Sequence, residues 1–359
     1  MNSIKQVAFI VENISNRAGI ERAVINTVNG LAKTENYTVN IISLFTSNDC
    51  SAAYMVNESV NIIHLCMEKR GKYIWYRDFL KILKVILKKY SIECLIGTTH
   101  GINSTISIFN KDYRVIGCEH FNYDSCSQVM KFTKYVTYRK LDAVVLLTKP
   151  DEERYFYVKK RKRYVIPNIL SFRTSDSGSF EFKRIIAIGR LSKQKGFDFL
   201  IEIATKLKYQ LPEWKIDIFG EGVEKDYLIN KINESDLGDF VFINPNVENV
   251  MEELLKSSIY VMTSRFEGLP MVLIEAQECG LPVVSFDCKE GPNQIIENKK
   301  NGYLVNLGDI DCFADKVMDV ATNQERWNLF SKEAKKYADN YSEERIIKLW
   351  MDLFDKIQR

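Results

Sequence analysis

Residues 263–280 read Thr-Ser-Arg-Phe-Glu-Gly-Leu-Pro-Met-Val-Leu-Ile-Glu-Ala-Gln-Glu-Cys-Gly. An apolar run, SIYVM at 258–262, precedes them, and PVVS at 282–285 follows. A strand is predicted to end near Met262. A polar loop containing Gly268 comes next. Pro270 then stands where the first turn of a helix tolerates a missing amide hydrogen, so a helix is predicted over 271–278. Strand, loop, helix and strand in that order form the repeating unit of a parallel sheet. The first amides of the helix, those of Met271, Val272 and Leu273, have no partner inside it and suit a phosphate. Glu267 lies just ahead of the helix, and Glu275 lies inside it among Leu273, Ile274 and Ala276. The pair reads either as surface glutamates flanking a cap or as carboxylates bound to hydroxyl groups.

The same alternation extends through the whole chain. Strands are predicted at 5–11, 38–45, 60–65, 92–97, 114–118, 142–147 and 163–166. A second set is predicted at 183–188, 214–219, 240–243, 258–262, 282–285 and 303–305. Several are continuous apolar runs, the pattern of strands buried on both faces. Between the sets lies LSFRTSDSGSFE, rich in Ser, Asp and Gly, which reads as a linker. The expected organisation is an N-terminal α/β domain over 1–168, a linker over 169–181 and a second α/β domain over 182–340. Both are Rossmann-like and face each other across a cleft, with ligands at the carboxyl ends of the strands. In the last segment, 341–359, Ile346, Ile347, Trp350, Leu353, Phe354 and Ile357 form one apolar stripe. That helix is expected to pack back on the N-terminal domain.

The chain has 359 residues, 46% apolar and 27% charged, which excludes a disordered chain, a collagen or a small disulfide scaffold. No window is apolar enough for a membrane-spanning helix. The opening residues read as a first strand rather than a secretory signal. The eight cysteines form no CxxC pair, and reduced thiols in a cytoplasmic protein are expected. Net charge is +3, but it is divided unevenly. Residues 1–170 hold 25 Lys+Arg and 15 Asp+Glu, and the remainder hold 25 and 32. A basic half suits an anionic membrane surface or a phosphate-bearing acceptor, or is simply an uneven solvated surface. Two stretches carry this idea: the basic amphipathic segment 72–90, with Trp75, Tyr76, Phe79, Leu80, Leu83, Ile86 and Leu87, and the run KKRKR at 159–163. The apolar face of the first reads rather as that of a helix packed on the N-terminal sheet.

A second constellation, Gly189-Arg190-Leu191-Ser192-Lys193-Gln194-Lys195-Gly196, directly follows the strand RIIAI. Arg190 offers paired donors and Lys195 a point charge, a combination suited to a diphosphate. Alone it is also compatible with a solvated loop. His100, in Gly97-Thr98-Thr99-His100-Gly101, and His120, in Cys118-Glu119-His120-Phe121-Asn122, each follow a strand. His100 reads as an acceptor-side or a structural residue, and His64 as structural.

Taken in order, Gly189-Arg190 through Lys195-Gly196, Phe219-Gly220-Glu221-Gly222, Ser264 through Pro270 with Glu275-Ala276, and Cys279 through Val284 resemble the retaining glycosyltransferases of the large GT4 family. That family has the GT-B fold. Glu267 and Glu275 match its E-x7-E motif. Asn16-Arg17-Ala18-Gly19-Ile20-Glu21-Arg22 resembles its glycine-rich first loop, with Ala18 in place of the first glycine.

The resemblance implies that Arg190 and Lys195 neutralise the diphosphate of a nucleotide sugar, expected to be UDP-linked, as the glycosidic bond breaks. It implies that Glu275 binds the ribose hydroxyls, Glu267 the hexose hydroxyls, and the amides of Met271, Val272 and Leu273 the phosphate. His120 would approach the donor sugar. Gly19, Gly189, Gly220 and Gly268 would line the donor site, with Gly220 letting backbone approach the nucleotide. The base would lie against 244–247, where Asn244-Pro245-Asn246 departs from the family's common glycine. No Asp-x-Asp metal site is recognised, so no metal cofactor is expected. The acceptor is expected to be a lipid-linked glycan or polysaccharide of a bacterial O-antigen, capsule or lipopolysaccharide, with peripheral contact to the anionic inner membrane surface and no nucleic-acid partner. Asp287-Cys288-Lys289-Glu290-Gly291-Pro292 is similar to a segment of bacterial envelope-polysaccharide transferases. A sugar-nucleotide epimerase or hydrolase, or a non-catalytic binding protein of the same fold, is the alternative. An NAD(P) oxidoreductase is disfavoured, because Gly220-x-Gly222 is followed by Lys225 where the third glycine would stand.

Overall fold

The computed structural model describes residues 4–46, 50–68, 72–120, 123–288 and 291–358, without the side chains of 72–76 and 125. The chain forms two compact units, Met1–Ile169 with Glu343–Arg359, and Leu170–Ser342.

The first unit holds β1 (Gln6–Val11), β2 (Thr38–Ser43), β3 (Asn61–His64), β4 (Cys94–Gly97), β5 (Arg114–Cys118), β6 (Ala143–Leu146) and β7 (Arg163–Val165). They pair in parallel in the order β3-β2-β1-β4-β5-β6-β7. The second unit holds β8 (Arg184–Ile188), β9 (Lys215–Phe219), β10 (Val241–Asn244), β11 (Ile259–Met262), β12 (Val283–Asp287) and β13 (Gly302–Asn306). Their order is β10-β9-β8-β11-β12-β13, again all parallel. Every strand predicted from the sequence is present, within two residues at each end. Strands such as β5, β6 and β11 are buried at every position. Helices cover both faces, and so the runs are apolar throughout rather than alternating.

In each sheet the strand order reverses beside the first strand of the unit, between β1 and β4 and between β8 and β11. At such a point the loops leaving two adjacent strands diverge and open a crevice beyond their carboxyl ends. The candidate residues gather at these two places.

The helix Glu343–Lys356 belongs to the first unit. It buries Ile346, Ile347, Trp350, Leu353 and Phe354, each worth about 1.5–3 kcal/mol of transfer. Trp350 meets the edge of Phe9 with ring centroids 5.6 Å apart, and Phe354 meets Tyr37 at 5.1 Å. Gly30 allows this approach, since a Cβ there would fall 2.7 Å from the Ile347 side chain.

The Ser/Asp-rich segment read as a linker lies on the second unit. Gly178 donates its amide to the Cys279 carbonyl at 2.9 Å, and Thr174 donates its own to Glu278 at 2.8 Å. Lys335 Nζ reaches the carbonyls of Ser175 and Asp176 at 2.8 and 2.7 Å. The polar side chains that suggested a free tether leave backbone groups to satisfy, and the adjoining helices satisfy them.

The helix Lys72–Lys89 packs on the first sheet, with Phe79, Leu83 and Leu87 in its core. Those three side chains therefore face the sheet rather than solvent. Trp75 and Tyr76 lie outside the described side chains. Of the run 159–163, only Lys159, Lys160 and Arg161 are exposed. Arg163 enters β7 and donates to the Glu152 carbonyl at 2.8 Å, and Lys162 reaches back to the Leu141 carbonyl at 2.6 Å. Among the described residues, no helix is long and apolar enough to cross a membrane.

Candidate functional site

The loops leaving β8 and β11 are bound into one structure. The Arg265 amide donates to the Gln194 carbonyl at 2.7 Å, and Gln194 Nε2 returns a bond to the Phe266 carbonyl at 3.1 Å. The Arg265 guanidinium grips both Asp198 oxygens at 2.8 and 2.6 Å, a bidentate geometry that fixes orientation as well as distance. Lys195 Nζ then meets Glu267 Oε1 at 2.7 Å, and Ser264 Oγ donates to the same oxygen at 2.5 Å. Lys195 and Glu267 are thus brought together, while Arg190 stands exposed beside them and makes no ion pair among the described residues. Gly196 permits the close crossing: it has φ +64°, and a Cβ on it would sit 2.1 Å from the Thr263 carbonyl oxygen.

The helix Met271–Glu278 begins where the sequence places it. One detail differs. The Leu273 amide donates to the Pro270 carbonyl at 3.1 Å, so the amides left open at the helix start are those of Met271 and Val272. Pro270 at the cap closes a tight first turn, and that turn takes the third amide. Glu275 is 0% exposed, which removes the surface-glutamate reading. The buried phenol of Tyr260 lies close to it. Burial first, then the Glu267 and Glu275 carboxylates, push that phenol above its usual range.

The glycines have internal reasons. A Cβ on Gly220 would lie 1.9 Å from the Gly189 carbonyl oxygen, so strand-end packing by itself requires glycine there. A Cβ on Gly189 would press at 3.1 Å on the Lys195 methylenes. Gly291 packs over the Gly268 carbonyl, where a Cβ would come within 2.3 Å. Asn244, at the end of β10, accepts the Gly220 amide on its carbonyl at 3.1 Å and donates Nδ2 to Asp217 at 2.8 Å. An Asp-x-Asp triplet that the sequence reading did not single out, Asp309-Ile310-Asp311, is a helix cap. Asp309 accepts the Cys312 amide at 3.1 Å, and Asp311 pairs on the surface with Lys206 at 2.5 Å.

Gly19, His100 and His120 belong to the first unit. Gly19 opens the helix Gly19–Lys33, and a Cβ there would meet nothing within 4 Å. His100 opens the helix His100–Ile106 after β4. With Glu12, Ile20, Glu21, Thr98, Thr99, Gly101 and Met130 it lines a hollow of 280 Å³. Burial, then Lys134, lowers its pKa. His120 follows β5 and borders a separate cavity of 20 Å³, about the room of one water. Its Nδ1 is buried without a hydrogen-bond partner among the described residues. Burial lowers its pKa to about 4, so the ring is neutral at physiological pH.

Residues 176–337 match the family model described as glycosyl transferases group 1. Over 97% of this chain and 99% of the relative, the sequence is 29% identical to an uncharacterized glycosyltransferase of Haemophilus influenzae.

The chain is a glycosyltransferase whose residues 176–337 match group 1.

This glycosyltransferase is also 29% identical to the amylovoran biosynthesis glycosyltransferase AmsD of Erwinia amylovora, over 98% of this chain and 99% of that one. Its structure superposes on that of TarM with a TM-score of 0.81, 17% identity and coverage of 98% and 99%. A variant of S. aureus TarM has been crystallised with UDP and alpha-GlcNAc-glycerol. The shared architecture is GT-B, two Rossmann-like domains in tandem.

The glycosyltransferase also holds a buried polar network that the sequence reading missed. Lys134 and Glu119 pair at 2.8 Å with side chains 0% and 3% exposed. Lys134 also donates to Tyr155 at 2.9 Å, and Tyr138 donates to Glu119. Glu119 immediately precedes His120, and the Tyr138 ring lies 6.3 Å from that of His100. The available signal was positional. Lys134 stands one helical turn before Tyr138, on the inward face of its helix.

Proposed function

We propose that this enzyme is a retaining glycosyltransferase. It moves a hexose or N-acetylhexosamine from a UDP-sugar to a hydroxyl of a lipid-linked or polysaccharide acceptor, forming an α-glycosidic bond in bacterial O-antigen, capsule or lipopolysaccharide synthesis. The observation that carries this reading is the junction at the β8–β11 switch point. There Lys195, Glu267 and the open amides of Met271 and Val272 converge beside exposed Arg190.

In this reading the diphosphate lies on the two amides and the Arg190 and Lys195 cations. Glu275 holds the ribose and Glu267 the hexose. The acceptor oxygen attacks the anomeric carbon on the face from which the diphosphate leaves. The carbon–oxygen bond to phosphate breaks, and the acceptor proton passes to the departing phosphate oxygen. Fixed cations stabilise that leaving charge with little reorganisation, so the reading requires no metal. The UDP found with TarM and the naming of AmsD for amylovoran biosynthesis support the donor and pathway class.

The test is UDP release from a panel of UDP-sugars, with and without a lipid extract of the source cells, using Arg190→Ala and Glu275→Ala as controls. Extract-dependent release from one sugar, lost in both variants, is expected. Release that is independent of any acceptor would turn the reading into a hydrolase. Failure of every nucleotide sugar to bind would end it.

A further inference from the structure

We propose that the outward face of the helix Gln128–Thr137, together with Phe156 and the neighbouring cations, seats this protein on an anionic lipid bilayer. The proposal rests on the lipid-linked acceptor reading for its purpose only.

The helix is amphipathic in the inverted sense. Its inward face carries Lys134, committed to Glu119. Its outward face carries Val129, Phe132, Tyr135 and Val136, with Val129 75% and Phe132 69% exposed. These positions fall at helical spacing on one stripe. Single exposed apolar residues are ordinary, but a contiguous stripe marks an interaction surface. Phe156 extends it at 77% exposure. Phe156 packs its ring edge on Tyr157, whose centroid lies 5.4 Å from that of Tyr135.

Cations rim this stripe. The Arg139 guanidinium lies 3.8 Å from the Tyr135 ring centroid. The bond from Lys162 Nζ to the Leu141 carbonyl, 2.6 Å long, holds the turn bearing Lys159, Lys160 and Arg161 against this end of the helix. Residues 128–163 contain eleven Lys+Arg and four Asp+Glu. Aromatic and aliphatic side chains flanked by basic ones match the acyl–headgroup boundary of an anionic leaflet. A second copy meeting it through the same face would bring like charge against like charge. A soluble polyanion would engage the cations and leave Phe132 and Phe156 in water.

The experiment is co-sedimentation of the full chain with phosphatidylcholine vesicles, with and without phosphatidylglycerol. A Phe132→Ser/Phe156→Ser variant and a Lys159→Glu/Lys160→Glu/Arg161→Glu variant are compared with the native chain. Circular dichroism checks their folding, and calorimetric UDP binding reads the donor site independently. The proposal expects binding to the phosphatidylglycerol vesicles that weakens with salt. It expects each variant to lose roughly tenfold or more of that binding while keeping its fold and UDP affinity. Absence of vesicle binding by the native chain would overturn it, as would equal binding by the variants. A native dimer that the Phe variant converts to monomer, with vesicle binding unchanged, would assign the face to a second copy instead. Loss of UDP binding in the native chain would count against the proposed function and leave the vesicle result standing.

Discussion

Lys195 Nζ lies 2.7 Å from Glu267 Oε1, although the two residues are 72 positions apart in the chain. The pair ties the loop after β8 to the loop after β11. In the proposed function it also holds the cation assigned to the diphosphate beside the carboxylate assigned to the sugar. The ammonium is thereby positioned before the donor arrives, which reduces the reorganisation that transfer requires.

Removing that cation is expected to act on chemistry more than on folding. Lys195→Ala should lower kcat by roughly 10²–10³, the range for loss of one charge-stabilising donor. Glu267→Gln should also lower kcat, and the double variant should fall short of the product of the single effects because the pair acts as a unit. Steady-state kinetics of all four proteins supplies the cycle. Strict additivity would mean that the contact has no part in transfer.

The two glycines at the end of β8 and β9 should respond differently. Gly220→Ala drives a Cβ onto a backbone oxygen at 1.9 Å, and backbone cannot step aside. A loss of about 1–3 kcal/mol of stability is expected, readable in urea denaturation. Gly189→Ala meets only the flexible Lys195 methylenes at 3.1 Å. It should leave stability nearly intact and weaken donor binding by moving the ammonium. Equal destabilisation by both changes would contradict the packing described.

The buried Lys134–Glu119 pair gives a sharper stability test. Lys134→Met leaves a carboxylate buried without its cation and should cost about 3–5 kcal/mol. Glu119→Leu combined with Lys134→Met removes both charges and should recover much of that loss. Thermal denaturation distinguishes the two. If the double variant is no better than the single, the pair stabilises the unit in its own right.

His120 makes stability pH-dependent. Its folded pKa, lowered to about 4 by burial, lies below an unfolded value near 6.5. The neutral form is therefore favoured in the fold. The contribution is fully present above the unfolded pKa and is lost as pH falls from about 6.5 toward 4, for a total of about 3 kcal/mol. His120→Asn should remove this component, so the difference between native and variant stability should slope only across that window. A difference that stays flat there would show that His120 titrates alike in both states.

Much of the candidate site was legible because it is local. A strand, a polar loop, Pro270 and an apolar helix occupy consecutive positions, and short-range preferences suffice to place Met271 at the helix start. The misses are all long-range. The Leu273 amide is taken by Pro270 because of how the turn closes. The linker lies on the second unit because Lys335 and Glu278 reach it. Lys134 reads as a surface cation in any one-dimensional pattern, and only its carboxylate partner on another element makes its burial tolerable.

The sequence by itself determined two parallel sheets, their order along the chain, and the glutamate, arginine and lysine types at the strand ends. Those features follow from hydrophobic periodicity and turn chemistry, which act over a few residues. The tertiary structure alone decided which residues meet. Strand order places β8 beside β11 and so joins Lys195 to Glu267. Helix packing buries the apolar face of Lys72–Lys89 and leaves that of Gln128–Thr137 in solvent. The two helices look alike as sequences, and burial depends on what lies opposite each face, which no local pattern encodes.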